Sequence, residues 1–127
     1  MDLAMQMIDQ SFANAGAGPF TTYSEMVIST LREIEDEQLR AVALVDDGSA
    51  GLKLIALTKR FLVIADQWGG IAARHGVDEI VEVDNRPGGV DVVCQSPGCV
   101  WLRYSFGHKD RDGMRALAWA FERIGGQ

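Results

Sequence analysis

Few side chains in this sequence are of the kinds that do chemistry. Histidine occurs at His75 and His108 and cysteine at Cys94 and Cys99, with no others in the chain. His108 with the two cysteines makes an incomplete zinc set. A fourth ligand is missing and the spacing matches none of the usual zinc patterns, so two free thiols flanking a turn, and no metal, are expected. His75 stands beside Arg74 in ARHG; with Lys53, Lys59 or Arg60 it offers the donors of an anion-binding corner if the strands bring them together. The plainer alternative is a set of polar residues solvated at strand ends. No nucleophile elbow, Walker loop, dinucleotide fingerprint or metalloprotease motif is present, so no catalytic residue and no cofactor are expected. Two further features point to contact rather than catalysis. Trp68, in DQWGG, falls at a hairpin tip, where a large aromatic side chain is costly to leave in water. The run Glu33, Glu35, Asp36, Glu37 puts negative charge at a helix C-terminus, the end that disfavours it. It is either a solvated face or a surface for a basic partner.

The elements that must position these residues follow from periodicity. Leu3, Met7 and Ile8, with Phe12 one turn on, are spaced as a short amphipathic helix, and AGAGP then breaks it. Residues 1–20 therefore read as a flexible amphipathic arm, outside the core and dispensable for folding, with Met7 and Ile8 available for a partner. Residues 21–38 read as a second helix, opened by a Thr22/Glu25 capping box and carrying Tyr23, Val27, Thr30, Leu31 and Ile34 on one face. From Leu39 onward short β-type runs alternate with turns: LRAVALVDD, GLKLIALT, RFLVIADQ, GGIAARHG, DEIVEVDN, GGVDVVCQ and CVWLRYSFG. Neighbouring runs pair most cheaply as hairpins. The chain closes with a helix that Asp110 or Asp112 can cap. Its apolar stripe is Met114, Leu117, Ala118, Phe121 and Ile124, and Gly125 and Gly126 end it. The fold class expected is α+β, mainly β: an antiparallel barrel of about seven strands over residues 39–127, capped by the C-terminal helix.

Charge narrows the partners. Among its 127 residues the chain carries a net charge of −6; residues 1–50 hold nine acids against two bases, whereas residues 51–127 hold ten bases and nine acids. This balance argues against nucleic acid and against an anionic membrane as default partners. The opening MDLAMQMIDQ has acids where a signal peptide has bases, and no apolar window is long enough to span a bilayer, so a cytoplasmic location is expected.

The text GLKLIALTKRFLVIAD, then VDEIVEV, resembles the bacterial pleckstrin-homology-like (PH-like, GRAM-like) domains. The residues that carry the likeness are Leu57, Thr58 and Arg60 ahead of Phe61 to Ile64, then Asp78, Ile80 and Val83. It covers about residues 37 to 124. The two-residue step Lys59-Arg60 makes a tight hairpin, here expected with a bulge because it lacks glycine, and Asp78 is placed to bond the backbone at the start of a strand. The resemblance implies a non-catalytic protein-interaction or scaffold module of bacterial or phage origin, probing partners by surface contact and forming homo-oligomers. The alternative it leaves open is an anionic lipid or small-anion binder using Lys53, Lys59, Arg60, Arg74, His75 and Arg103. Asp46 and Asp47 occupy the first hairpin loop, where a phosphate-binding loop needs bases.

Overall fold

The computed structural model describes residues 2–35, 37–96, 98 and 100–125. Helix α1 (Leu3–Ala15) and helix α2 (Ser24–Ile34) precede seven strands: β1 (Ala41–Asp46), β2 (Leu52–Leu57), β3 (Phe61–Asp66), β4 (Ile71–Gly76), β5 (Ile80–Arg86), β6 (Gly89–Ser96) and β7 (Val100–His108). Helix α3 (Arg111–Gly125) closes the chain. The strands form one antiparallel sheet in the order β4-β3-β2-β1-β7-β6-β5. Its middle is its weakest seam: β1 and β7 pair only at Val45↔His108 and Asp46↔Gly107. Beyond that seam the two halves of the sheet diverge, and Met114 and Leu117 of α3 fill the space between them, fully buried. This is the expected mainly-β, PH-like architecture with a C-terminal helix.

Strands β1 to β3 are buried on both faces. One face points inward: Ala43, Val45, Ile55, Leu57, Leu62 and Ile64 meet Val90, Val92, Cys94 and Phe106 of the other half of the sheet. The opposite face, with Val42, Leu44, Leu54, Ala56, Val63 and Ala65, is covered by α1 and α2. The apolar runs AVALV and FLVIA do not alternate because neither face meets water.

The N-terminal segment is therefore not a free arm. Ile8 and Phe12 are 0% exposed, and Phe12 stacks against Tyr23 with ring centroids 5.8 Å apart. Gly16, with φ +65°, turns the chain at the end of α1 so that it folds back toward α2. The AGAGP break is a reversal between two packed helices. The second helix also differs from expectation. A 3₁₀ turn at Phe20–Tyr23 leads into α2, whose N-cap is Tyr23 with no side-chain cap in place of a Thr22/Glu25 box. It stops at Ile34 and not near Gln38, because Glu35 has φ +49° and leaves the helical region.

The β2–β3 connection is a two-residue turn without a register shift. Thr58 is fully buried, and its hydroxyl accepts the backbone N–H groups of Arg60 (3.2 Å) and Phe61 (3.1 Å) while donating to the Phe61 carbonyl (3.2 Å). A side chain thus satisfies the groups that a bulge was expected to accommodate. At the start of β5, Glu79 and not Asp78 accepts a backbone N–H, that of Gly76, at 3.1 Å.

Candidate functional site

The two sets of charged residues singled out by the sequence meet each other. Arg74 of β4 pairs with Glu33 of α2 at 3.4 Å and also lies over the Phe61 ring at 4.3 Å. Arg60 pairs with Glu37 at 3.1 Å. Lys53 pairs with Asp47 at 3.0 Å and is 8% exposed, and Arg103 pairs with Asp91 at 3.2 Å. Exposed pairs such as Arg60–Glu37 contribute about 0 to 1 kcal/mol. Their larger consequence is that Arg60 and Arg74 are neutralised by Glu37 and Glu33, while Glu35 of the same acidic run is exposed and makes no ion pair among the described residues. Of the expected cations only Lys59 has no ion-pair partner among the described residues. Asp36 lies outside the described residues. Met7 is half-buried against the outer layer and Ile8 fully buried, so neither is presented to a partner.

His75 is an interior residue, 7% exposed. Its Nε2 lies 2.9 Å from the Tyr104 hydroxyl, and its Nδ1 lies 3.6 Å from Glu79 Oε1. This contact joins β4 to β7 across the barrel, where the two outer strands β4 and β5 make no ladder with one another. The polar bridge helps close a barrel that backbone hydrogen bonds leave open. Burial, then the nearby Cys94, raises the Tyr104 phenol above its ordinary value.

Cys94 has no exposed surface and is a free thiol. Burial, then the charge of Glu79, pushes it from 9.0 to about 11. A nucleophilic cysteine requires the opposite shift. It is also remote from His108: Cys94 pairs with Leu102 near the start of β7, and His108 lies at its far end, roughly 20 Å away at the usual rise per residue. Cys99 lies outside the described residues, and no group of metal-ligating side chains occurs among the described ones. Native protein near pH 8 is therefore expected to leave Cys94 unalkylated by iodoacetamide while urea-unfolded protein reacts, as read by peptide mass mapping. Since the unfolded thiol loses its proton first, the native state binds more protons above pH 9.0, and unfolding free energy falls between there and about 11. The difference between parent and Cys94→Ala in that interval measures the effect; no difference would mean the thiol is solvated.

What the surface does present is aromatic. Trp68, Trp101 and Trp119 are 67%, 60% and 60% exposed. Trp68 sits on a firmly built turn: Asp66 Oδ1 accepts the N–H groups of Trp68 and Gly70, each at 2.9 Å, and Ser29 Oγ of α2 donates to the Gly69 carbonyl at 2.6 Å. Gly69, at φ +96°, is required there, because a Cβ would come within 3.0 Å of Glu25 Cβ. Trp101 shares the outer face of β7 with Arg103, opposite Leu102 and Tyr104, which pack inward. Trp119 lies on the outer side of α3 under the Arg123 guanidinium, 4.6 Å from its ring centre. Near Trp68 begins β4, which pairs with β3 alone and starts with the exposed Ile71 and Ala72. The opposite edge, β5, carries Glu82, Asp84 and Arg86 and a bulge between Ile80 and Glu82, features that discourage edge pairing. Two clefts of about 330 Å³ flank α3. Arg40, Lys59, Trp119 and Arg123 line the one at its C-terminal end, and Arg86, His108, Arg111 and Arg115 the one at its N-terminal end. Sequence reasoning had singled out none of these arginines, since their convergence joins segments far apart in the chain.

Solved structures share this fold at low identity. The Dictyostelium discoideum myosin VII MyTH4-FERM MF2 domain superposes on 74% of this chain with a TM-score of 0.51 and 10% identity. A mutant form of the same domain does so over 74% with a TM-score of 0.50 and 9% identity. The matched parts are 17% and 18% of those chains, so this chain spans less than a fifth of their length. No protein-family model matches the chain, and the comparison with curated proteins found no relative. No helix among the described residues is long and apolar enough to cross a membrane.

Proposed function

We propose that this chain is a non-catalytic protein-interaction module that self-associates, a second copy docking along the β4 edge beside Trp68. The observation that carries this reading is the exposure of the chain's three tryptophans, each at 60% or more. Tryptophan is highly buried on average in single folded chains and enriched in the energetic centres of interfaces. The choice of β4 rests on its chemistry. An antiparallel edge can pair with its own copy about a twofold axis, and Ile71, Ala72 and Ala73 present no charge there. The apolar face of the N-terminal helix is taken up by the sheet and is not offered to this contact.

Light scattering at micromolar concentration is expected to show a dimer. Trp68→Ala should shift it toward the monomer, as should Ala72→Pro, which blocks ladder pairing. With a net charge of −6 the copies repel at long range, so added salt should strengthen the dimer. A parent that stays monomeric at all salt concentrations overturns self-association. In that case a crosslinker placed at Trp68 in cells should trap a different protein, and failure of that too would sink the interaction reading.

A further inference from the structure

We infer that the cleft at the N-terminal end of α3 is a binding site for a phosphate group, held by Arg86, Arg111 and Arg115. The cleft is about 330 Å³, at the small end of ligand-sized sites, and is lined by Asn85, Arg86, Pro87, His108, Arg111 and Arg115. No carboxylate is among those residues, in a chain with 18 acids and 12 bases. Arg111 and Arg115, one turn apart on the same side of α3, make no ion pair among the described residues. Arg86 is anchored by Asp91, with Nη2 donating to Oδ1 at 2.7 Å, and Asp84 lies 4.0 Å from its Nε. That anchoring holds one guanidinium in place through Nη2 and Nε, while its Nη1 makes no ion pair among the described residues.

The positions of these arginines have no explanation in the stability of the helix. Cations are favoured at helix C-termini and disfavoured at N-termini. Arg123, in the last turn of α3, follows that rule and has Trp119 beneath it, so the cleft at that end is accounted for without a ligand. Arg111 opens α3 and Arg115 follows one turn later, both at the disfavoured end. Two acids lie close by. Asp112 is in the same first turn, and Asp110 is 1% exposed with its oxygens taken up by Ser11, Asn14 and the Gly113 N–H. Three guanidinium groups match a dianionic, tetrahedral group better than a single carboxylate, because each offers paired N–H donors at fixed geometry. His108 and Asn85 form the wall behind them, joined by a 2.7 Å hydrogen bond in which Nε2 donates to Oδ1. His108 Nδ1 is buried with no hydrogen-bond partner among the described residues, so the ring is a sensitive reporter of charge arriving in the cleft.

The test is a titration of the intact, isotope-labelled chain, following the His108 ring and arginine side-chain resonances by NMR. Inorganic phosphate and glycerol phosphate are the soluble probes. Vesicles of phosphatidylcholine with and without phosphatidic acid, read by flotation, are the membrane probe. Saturable shifts with the soluble probes and no flotation support a soluble phosphate ligand; flotation that needs phosphatidic acid supports a lipid headgroup. In either case Arg111→Gln with Arg115→Gln should weaken binding by about tenfold or more. The pair Arg40→Gln and Arg123→Gln, in the other cleft, should leave it unchanged, and both proteins should melt as the parent does. Binding should weaken with salt, the opposite of the dimer. No saturable response to any probe overturns the inference. So does an unaltered response in the Arg111/Arg115 variant, or an equal loss in the Arg40/Arg123 variant, which would show attraction to net charge and not a site.

Discussion

Replacing Phe12 with alanine is expected to lower the unfolding free energy by about 3 to 5 kcal/mol, the range for truncating a buried aromatic side chain. Phe12 is 0% exposed and belongs to the apolar layer formed by α1, α2 and the outer face of β1 to β3. The alanine variant loses the contact with Tyr23 and leaves a void in the layer that α1 and α2 build over the strands. Domain stabilities are commonly about 5 to 15 kcal/mol, so this single change removes a large part of the total. Urea unfolding followed by circular dichroism reads the effect as a lowered midpoint at constant slope. Leu3→Ala, on the same helix but 57% exposed, should stay close to the parent. Removing residues 2–19 should be worse than Phe12→Ala, because Val42 and Leu44 of β1, the strand on which α1 packs, then lose their cover. A truncated chain that melts cooperatively at the parent temperature would mean that α1 is an accessory and its packing here unimportant.

Asp110→Ala has the second large effect, at about 3 kcal/mol, summed from a lost helix cap and buried donors left without an acceptor. One carboxylate, 1% exposed, ties three elements together. Oδ2 accepts from Ser11 Oγ of α1 at 2.6 Å; Oδ1 accepts from Asn14 Nδ2 at 3.0 Å and caps α3 through the Gly113 N–H at 2.8 Å. Ser11 Oγ in turn accepts the Leu44 N–H of β1 at 2.9 Å, and the Asp110 N–H donates to the Leu44 carbonyl at 3.1 Å. Gly113 belongs to the same device, since a Cβ there would come within 2.8 Å of the Val42 carbonyl oxygen. Asp110→Asn keeps an acceptor for the cap and should cost less. Ser11→Ala should be destabilising on its own, by about 1 to 3 kcal/mol, because it leaves the buried Leu44 N–H unsatisfied. A double-mutant cycle between Ser11 and Asp110 should show positive coupling; strict additivity would mean that the two residues act separately.

The sequence by itself determined the strands and the closing helix, and left the helix cap between Asp110 and Asp112. The strands and the helix have local signatures, apolar runs cut by glycine and proline turns and a stripe from Met114 to Ile124, whereas the hydrogen bond from the Gly113 N–H picks Asp110 as the cap. It also determined that Trp68 stands at a hairpin tip, because DQWGG is turn chemistry wherever it occurs. The place of the N-terminal helix was only half legible. The spacing of Leu3, Met7, Ile8 and Phe12 marked a helix with an apolar face, but only the structure shows that strands with the runs AVALV and FLVIA are covered on both sides. AGAGP, which looks the same as a flexible joint or as a tight reversal, hid the connection between them. The tertiary structure alone decided the fate of the charges. Glu33 meets Arg74 and Glu37 meets Arg60 because α2 lies over β3 and the chain leaving it passes the β2–β3 turn, and Arg86 joins Arg111 and Arg115 because the β5–β6 hairpin reaches the start of α3. Hydrophobic periodicity and turn residues act over a few positions and can be read from one segment. Charge pairing acts through space between segments, and no local pattern says which of the chain's ions will be neutralised and which left free.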